Sequence, residues 1–126
     1  MIVSLEKRRW LAFVFVVLIT VEIFFISSLT GGTGTTPGSS WPARIYHFTA
    51  FFLFAFFLFV LVKGNRRMTI AQFVFVLFFS VFHSFLDEFH QYFVPGRGSS
   101  FGDVMTDSLG VFLALIIYFY IDKKRN

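Results

Sequence analysis

The chain contains no cysteine, which removes disulfides, thiolate nucleophiles and thiolate metal ligands from consideration. Charge is also scarce, at 14% of the 126 residues. The basic excess of +4 forms no stripe with interleaved aromatics, so nucleic acid is excluded as a partner. No His-Glu-x-x-His zinc spacing occurs, and no Ser-His-Asp arrangement can be assigned. Internal repeats are absent too, and the chain is short for the inverted repeats of larger transporters.

What fills the sequence is hydrocarbon: 56% of the residues are hydrophobic and 22 are Phe, too apolar for an ordinary soluble globule. The 22 Phe are expected to be mostly lipid-facing bulk. Apolar runs cover about residues 10–28, 45–62, 68–92 and 104–121, each near the ~20 residues that a spanning helix needs. The fold class expected is therefore all-α, a four-helix transmembrane bundle forming a single domain over residues 1–126. The first run follows basic residues as a secretory signal does, but it is longer than a signal core and contains Glu22, so a retained helix is favoured.

Nine of the eleven basic residues lie in three clusters, Lys7-Arg8-Arg9, Lys63 with Arg66-Arg67, and Lys123-Lys124-Arg125. The positive-inside bias assigns these clusters, and with them both termini, to the cytoplasm. The linkers 30–42 and 92–102 then face outward. Gly31 to Ser40 reads as a flexible loop, Pro95-Gly96 as a turn closing the third helix, and Asp103 as an N-cap for the fourth.

Against this background the stretch Leu86-Asp87-Glu88-Phe89-His90-Gln91-Tyr92-Phe93-Val94-Pro95-Gly96-Arg97, with Asp103 and Asp107 after it, is expensive and so points to function. At about 1.5 Å per residue, Glu22 lies about 20 Å above Arg9, and His47 and His83 each lie about 24 Å above their basic clusters. Asp87, Asp103 and Asp107 fall at about 22–30 Å on the same arithmetic. Every helix thus contributes to one polar layer in the outer half of the membrane. Spacings of three and four place His83, Asp87 and His90 or Gln91 on one face, Asp103, Asp107 and Gly110 on another, and Arg44, His47 and Phe51 on a third. Gly110 permits close approach of a neighbouring helix. Five outer acids face two arginines, Arg44 and Arg97, so some carboxyls should be protonated, paired with His or bound to a cation.

The run Asp87 to Arg97, followed by Asp103-Val104 and Gly110, resembles the signature of the VanZ-like membrane protein family. Arg44-Ile45-Tyr46-His47-Phe48 resembles the same family's second-helix motif. The departures are Ala43 where the family often has Asp, Phe51 where it often has Tyr, and Asp107 where it often has Asn. The matched positions are His47, Asp87, Glu88, Gln91, Arg97 and Asp103, and less closely Arg44 and Asp107. The resemblance implies a bacterial integral membrane protein of the cell envelope whose namesake is linked to resistance to the lipid-tailed glycopeptide teicoplanin. Some relatives carry an acyltransferase label, but nothing in this sequence resembles a soluble acyl- or phosphoacyl-transfer site.

Three readings follow. In the first, an outward-facing cup in the bacterial plasma membrane binds an envelope lipid, a cell-wall lipid precursor or a glycopeptide antibiotic. Arg44, His47, Asp87, Glu88, His90, Gln91, Arg97, Asp103, Asp107 and Glu22 would form its ligand-binding set, with Arg97 placed to hold phosphate or carboxylate bidentately. In the second, the layer is an intramembrane enzyme. Asp87, Glu88, His47 or His83 would then act in acid–base catalysis, or Asp87, Glu88, His90, Asp103 and Asp107 would hold a divalent metal. The third reading is proton or ion translocation, for which the cytoplasmic half offers no matching acid, because Glu6 and Asp122 flank the helices.

Overall fold

In the computed structural model the described residues are 2–29, 41–64 and 67–125. The helices are α1 (Ile2–Lys7), α2 (Arg9–Ser28), α3 (Trp41–Lys63), α4 (Ile70–Tyr92) and α5 (Phe101–Arg125). Four of them, α2 to α5, are long and apolar enough to cross a membrane. In hydrocarbon a helix is the open-ended structure that satisfies all its backbone donors internally, which is why the apolar runs fold this way. The loop expected over Gly31 to Ser40, and Arg66 of the second basic cluster, lie outside the described residues.

Local chemistry sets the helix ends. Thr69 caps α4 through a reciprocal box, its Oγ1 accepting from Gln72 N at 3.2 Å while Gln72 Oε1 accepts from Thr69 N at 2.9 Å. Gln72 Nε2 also donates to Val62 O at 3.0 Å, tying the start of α4 to the end of α3. After α4, Arg97 N donates to Val94 O at 3.1 Å around Pro95-Gly96, with Gly96 at φ 75°. That is the type II pattern, in which proline presets the first central residue and glycine takes the left-handed second.

Three details differ from the sequence reading. Helix α3 starts at Trp41, not near Ile45, because Pro42 is tolerated in a first turn and does not delay the helix. Asp103 is not the N-cap of α5. Ser100 precedes the helix and its Oγ accepts from Gly102 N at 3.1 Å, while Asp103 occupies the first turn. A further short helix, α1, turns into α2 at Arg8, whose N–H reaches Ser4 O and Leu5 O.

Helix α3 is the hub, packing on α1, α2, α4 and α5, whereas α2 and α5 make no substantial contact. The buried stripe of α2 is Ala12, Val16, Ile19, Ile23 and Ser27, and it meets a core built on Phe51, Phe54, Phe59, Val76, Val111 and Tyr118. Most other phenylalanines point outward, among them Phe25, Phe78, Phe89 and Phe101, as a lipid-facing surface requires. The α3–α5 contact is the tightest. A Cβ built on Gly110 would lie 2.3 Å from Phe48 O and 3.1 Å from Phe52 N, so the backbones touch only because residue 110 lacks a side chain.

At the end of the bundle where α3 finishes and α5 ends, charged groups are interlocked rather than solvated. Lys63 Nζ reaches Asp122 Oδ1 at 2.7 Å and Glu6 Oε1 at 3.5 Å. Tyr118 Oη and Arg125 Nη1 each donate to Glu6 at 2.6 Å, and Met68 N donates to Asp122 Oδ2 at 3.3 Å. Glu6, Lys63 and Asp122 are all buried. The expectation that Glu6 and Asp122 merely flank the helices is thus corrected. Helix α1 folds back far enough to bring Glu6 onto α5, which no local pattern discloses.

Candidate functional site

The opposite end of the bundle carries the polar layer, assembled from α2, α3, α4, the α4–α5 turn and α5. Its backbone is one face of α4, whose buried residues are Val76, Ser80, Ser84, Asp87, Glu88 and Gln91. Asp87 and Gln91 of the expected stripe lie on this face, whereas His83 and His90 flank it half-buried.

On the α2 side, Ser27 Oγ donates to Asp87 Oδ1 in a short contact. Gln91 Nε2 donates to Asp87 Oδ2 at 2.9 Å and to Ser27 Oγ at 3.1 Å. His90 turns away from this group. Its Nε2 meets Ser28 Oγ at 2.9 Å and its ring stacks on Phe24 with centroids 4.6 Å apart. Arg97 returns from the turn to donate to Ile26 O at 3.2 Å.

On the α3–α5 side, His47 Nδ1 lies 3.0 Å from Asp107 Oδ1, and Ser84 Oγ donates to Asp107 Oδ2 at 2.5 Å. Asp107 is fully buried and His47 is 4% exposed. Glu88 Oε2 accepts from Ser100 N at 2.9 Å. Two acceptors here, Glu88 Oε1 and Asp103 Oδ2, are buried and have no hydrogen-bond partner among the described residues, and the same holds for His83 Nδ1 and Tyr46 Oη. His83 sits against the rings of Phe51 and Phe54, at centroid distances of 5.6 and 4.7 Å.

A ligand atom from each of His47, Glu88 and Asp107 lies within 4.8 Å of the others, and all three residues are buried. Of the residues expected to hold a metal, the structure gathers Glu88 and Asp107 and adds His47 to them. Asp87 is already bonded to Ser27 and Gln91, and His90 belongs to the α2 side.

Not every expected site residue converges. Glu22 is exposed between Val21 and Phe25, because it falls one residue off the buried stripe that ends in Ile23 and Ser27, a rotation of about 100° on an α-helix. Arg44 is also exposed, in the first turn of α3. Ser84 and Ser100 are partners that sequence reasoning passed over. Ser84 precedes Glu88 by four residues and so shares its helix face, a spacing that could have found it. Ser100 acts through its backbone N–H, which no side-chain motif reports.

Beside this layer, α4 and α5 enclose an open groove of about 580 Å³ lined by Phe85, Leu86, Glu88, Phe89, Tyr92, Ser99, Ser100, Phe101 and Val104. Its walls are apolar, and one of its lining residues is the carboxylic acid that carries an unpartnered oxygen.

Four apolar helices around a buried His–carboxylate layer define a multi-pass membrane protein whose bundle encloses a polar site. The family model described as VanZ/LLP1 matches residues 12–122, and the chain belongs to the VanZ-like family. No curated protein and no solved structure matches it.

Proposed function

We propose that the polar layer recognises an amphipathic molecule of the bacterial cell envelope, a lipid or a lipid-tailed glycopeptide of the teicoplanin class, from the outer leaflet of the plasma membrane. The observation that carries this reading is the joining of two surfaces at Glu88. One is an apolar groove about the length of two helix turns, and the other is a hydrogen-bonded polar layer behind it. An acyl or prenyl chain lies against Phe85, Phe89 and Phe101, while its head group meets Glu88, Tyr92 and Ser99 of the same groove. Burial of a chain in such a groove is favourable at about 25 cal/mol per Å² of apolar surface, and the polar floor supplies orientation.

A lipid carrying a photoreactive chain, reconstituted with the protein in nanodiscs, tests this. Crosslinks should concentrate on residues 85–104. An even spread over the exposed apolar face of α2, from Phe13 to Phe25, would show only annular lipid and would sink the proposal.

A second, enzymatic reading is favoured by the His47–Asp107 pair, since a carboxylate on Nδ1 orients an imidazole for acid–base work. It requires turnover of an envelope lipid that His47→Gln abolishes while photolabelling persists.

A further inference from the structure

The polar layer is short of positive charge. Asp87, Glu88, Asp103 and Asp107 are each at most 6% exposed. Arg97 is half-buried and donates to the Ile26 carbonyl, and Arg44 is exposed. Asp87 has its own donors in Ser27 and Gln91. Glu88, Asp103 and Asp107 are left around a single buried imidazole, His47. Ionised carboxyls in such a place are tolerable only when protons or a cation offset them.

The geometry favours the cation. His47 Nδ1 and Asp107 Oδ1 are 3.0 Å apart, about the separation of two ligands at right angles on an ion bound at about 2.1 Å. A Glu88 oxygen lies within 4.8 Å of the ligand atoms of His47 and Asp107, so side-chain movement of up to about 0.6 Å would bring all three inside the roughly 4.2–4.4 Å that two ligands on opposite sides of such an ion can span. Each carboxylate is also held from behind, Asp107 by Ser84 Oγ and Glu88 by the Ser100 amide, as ligands of a metal are commonly oriented. An independent sign is the pair of buried acceptors, Glu88 Oε1 and Asp103 Oδ2, that have no hydrogen-bond partner among the described residues. Protein seldom leaves such atoms without a partner.

We propose that His47, Glu88 and Asp107 form a divalent-cation site inside the membrane-spanning bundle. One imidazole with carboxylates suits Zn²⁺ or Mn²⁺, whereas an all-oxygen set suits Ca²⁺ or Mg²⁺. The site stands whether or not a lipid fills the neighbouring groove, so it does not depend on that reading.

The test uses the full chain in nanodiscs, stripped with chelator and titrated with Mn²⁺ while paramagnetic resonance reads the free ion. Saturable binding of one Mn²⁺ per chain is expected, with a nitrogen hyperfine coupling from His47. Competition by Zn²⁺ is expected as well. Glu88→Gln and His47→Gln should each weaken binding at least about 100-fold, and Glu22→Gln, on the exposed face of α2, should leave it unchanged. Absence of saturable binding, binding without a nitrogen coupling, or undiminished affinity in Glu88→Gln would overturn the proposal. The nitrogen coupling is read on the unaltered protein, so the test survives a variant that does not fold.

Discussion

Substitution of Gly110 by alanine probes the feature on which the polar layer depends, the contact between α3 and α5. The new methyl would sit 2.3 Å from Phe48 O, so the two backbones must part by about 0.7 Å merely to reach 3.0 Å. His47, adjacent to Phe48, and Asp107, one turn before Gly110, are bonded at 3.0 Å across the same contact. That separation would stretch their hydrogen bond to about 3.7 Å, beyond its useful range. Overpacking costs about 1–3 kcal/mol, and loss of a charge-assisted buried hydrogen bond costs about 1.5–3 kcal/mol more. The two overlap, so a loss of about 3–4 kcal/mol is expected. Reversible denaturant unfolding in mixed micelles, followed by circular dichroism, measures it. Gly98→Ala is the control, because a Cβ there meets nothing within 4 Å, and it should change stability by less than about 0.5 kcal/mol. The clashing atom is a backbone carbonyl, so truncating the Phe48 side chain should give no rescue. Equal stability of Gly110→Ala and Gly98→Ala, or rescue by Phe48→Ala, would refute the reasoning.

The remaining expectations concern both ends of the bundle. Lys63→Met should destabilise by about 3–5 kcal/mol, because it leaves Glu6 and Asp122 buried without their shared cation. The triple change Lys63→Met, Glu6→Gln, Asp122→Asn should recover part of that loss in the same unfolding measurement. Ser84→Ala removes a donor from fully buried Asp107 and should cost about 1–3 kcal/mol, with the His47 ring resonances shifted in nuclear magnetic resonance spectra. A loss below about 0.5 kcal/mol would show that Ser84 is not needed there. Because the chain has no cysteine, single Ser4→Cys and Ser99→Cys variants report topology cleanly. A membrane-impermeant maleimide should label Ser99→Cys on intact cells and Ser4→Cys only after permeabilisation, and the reverse pattern would invert the assigned orientation.

The helices were legible because their signal is local and long: each span is a run of apolar residues that nothing but a helix can satisfy in hydrocarbon. Gly110 was legible for a related reason, since a small residue one turn from Asp107 and two turns from Asp103, on the same face, marks where a neighbour approaches. Rotation about each helix axis was not. Glu22 and Ser27 are five residues apart in one apolar run, yet only Ser27 reaches the layer, and the choice is made by packing of Ile19 and Ile23 against α3 and α4. The same limit put His90 in the expected metal set in place of His47. His47 and Asp107 are 60 residues apart, and a pairing across that separation leaves no periodic trace. The Glu6 cluster was hidden likewise, since it depends on α1 folding back onto the end of α5.

The two polar ends provide a comparison within one molecule that bears on what each is for. At the end that holds Lys63, both oxygens of Glu6 and both oxygens of Asp122 are bonded, to Tyr118, Arg125, Lys63 and the Met68 amide. At the other end, four buried side-chain atoms have no partner among the described residues, from Tyr46, His83, Glu88 and Asp103. A complete network has used its bonding capacity to lock helices together, whereas an incomplete one keeps acceptors and donors for something else. The buried stretch between them is mostly apolar. Asp107 and Tyr118 are about 16 Å apart along α5, and the groups buried there are Gly110, Val111 and Ala114, facing Phe51, Phe54 and Phe59. Among the described residues, Ser80 adds one buried hydroxyl without a hydrogen-bond partner to this stretch. On the proposed reading, the open acceptors beside the apolar groove are the atoms that a bound ligand would satisfy.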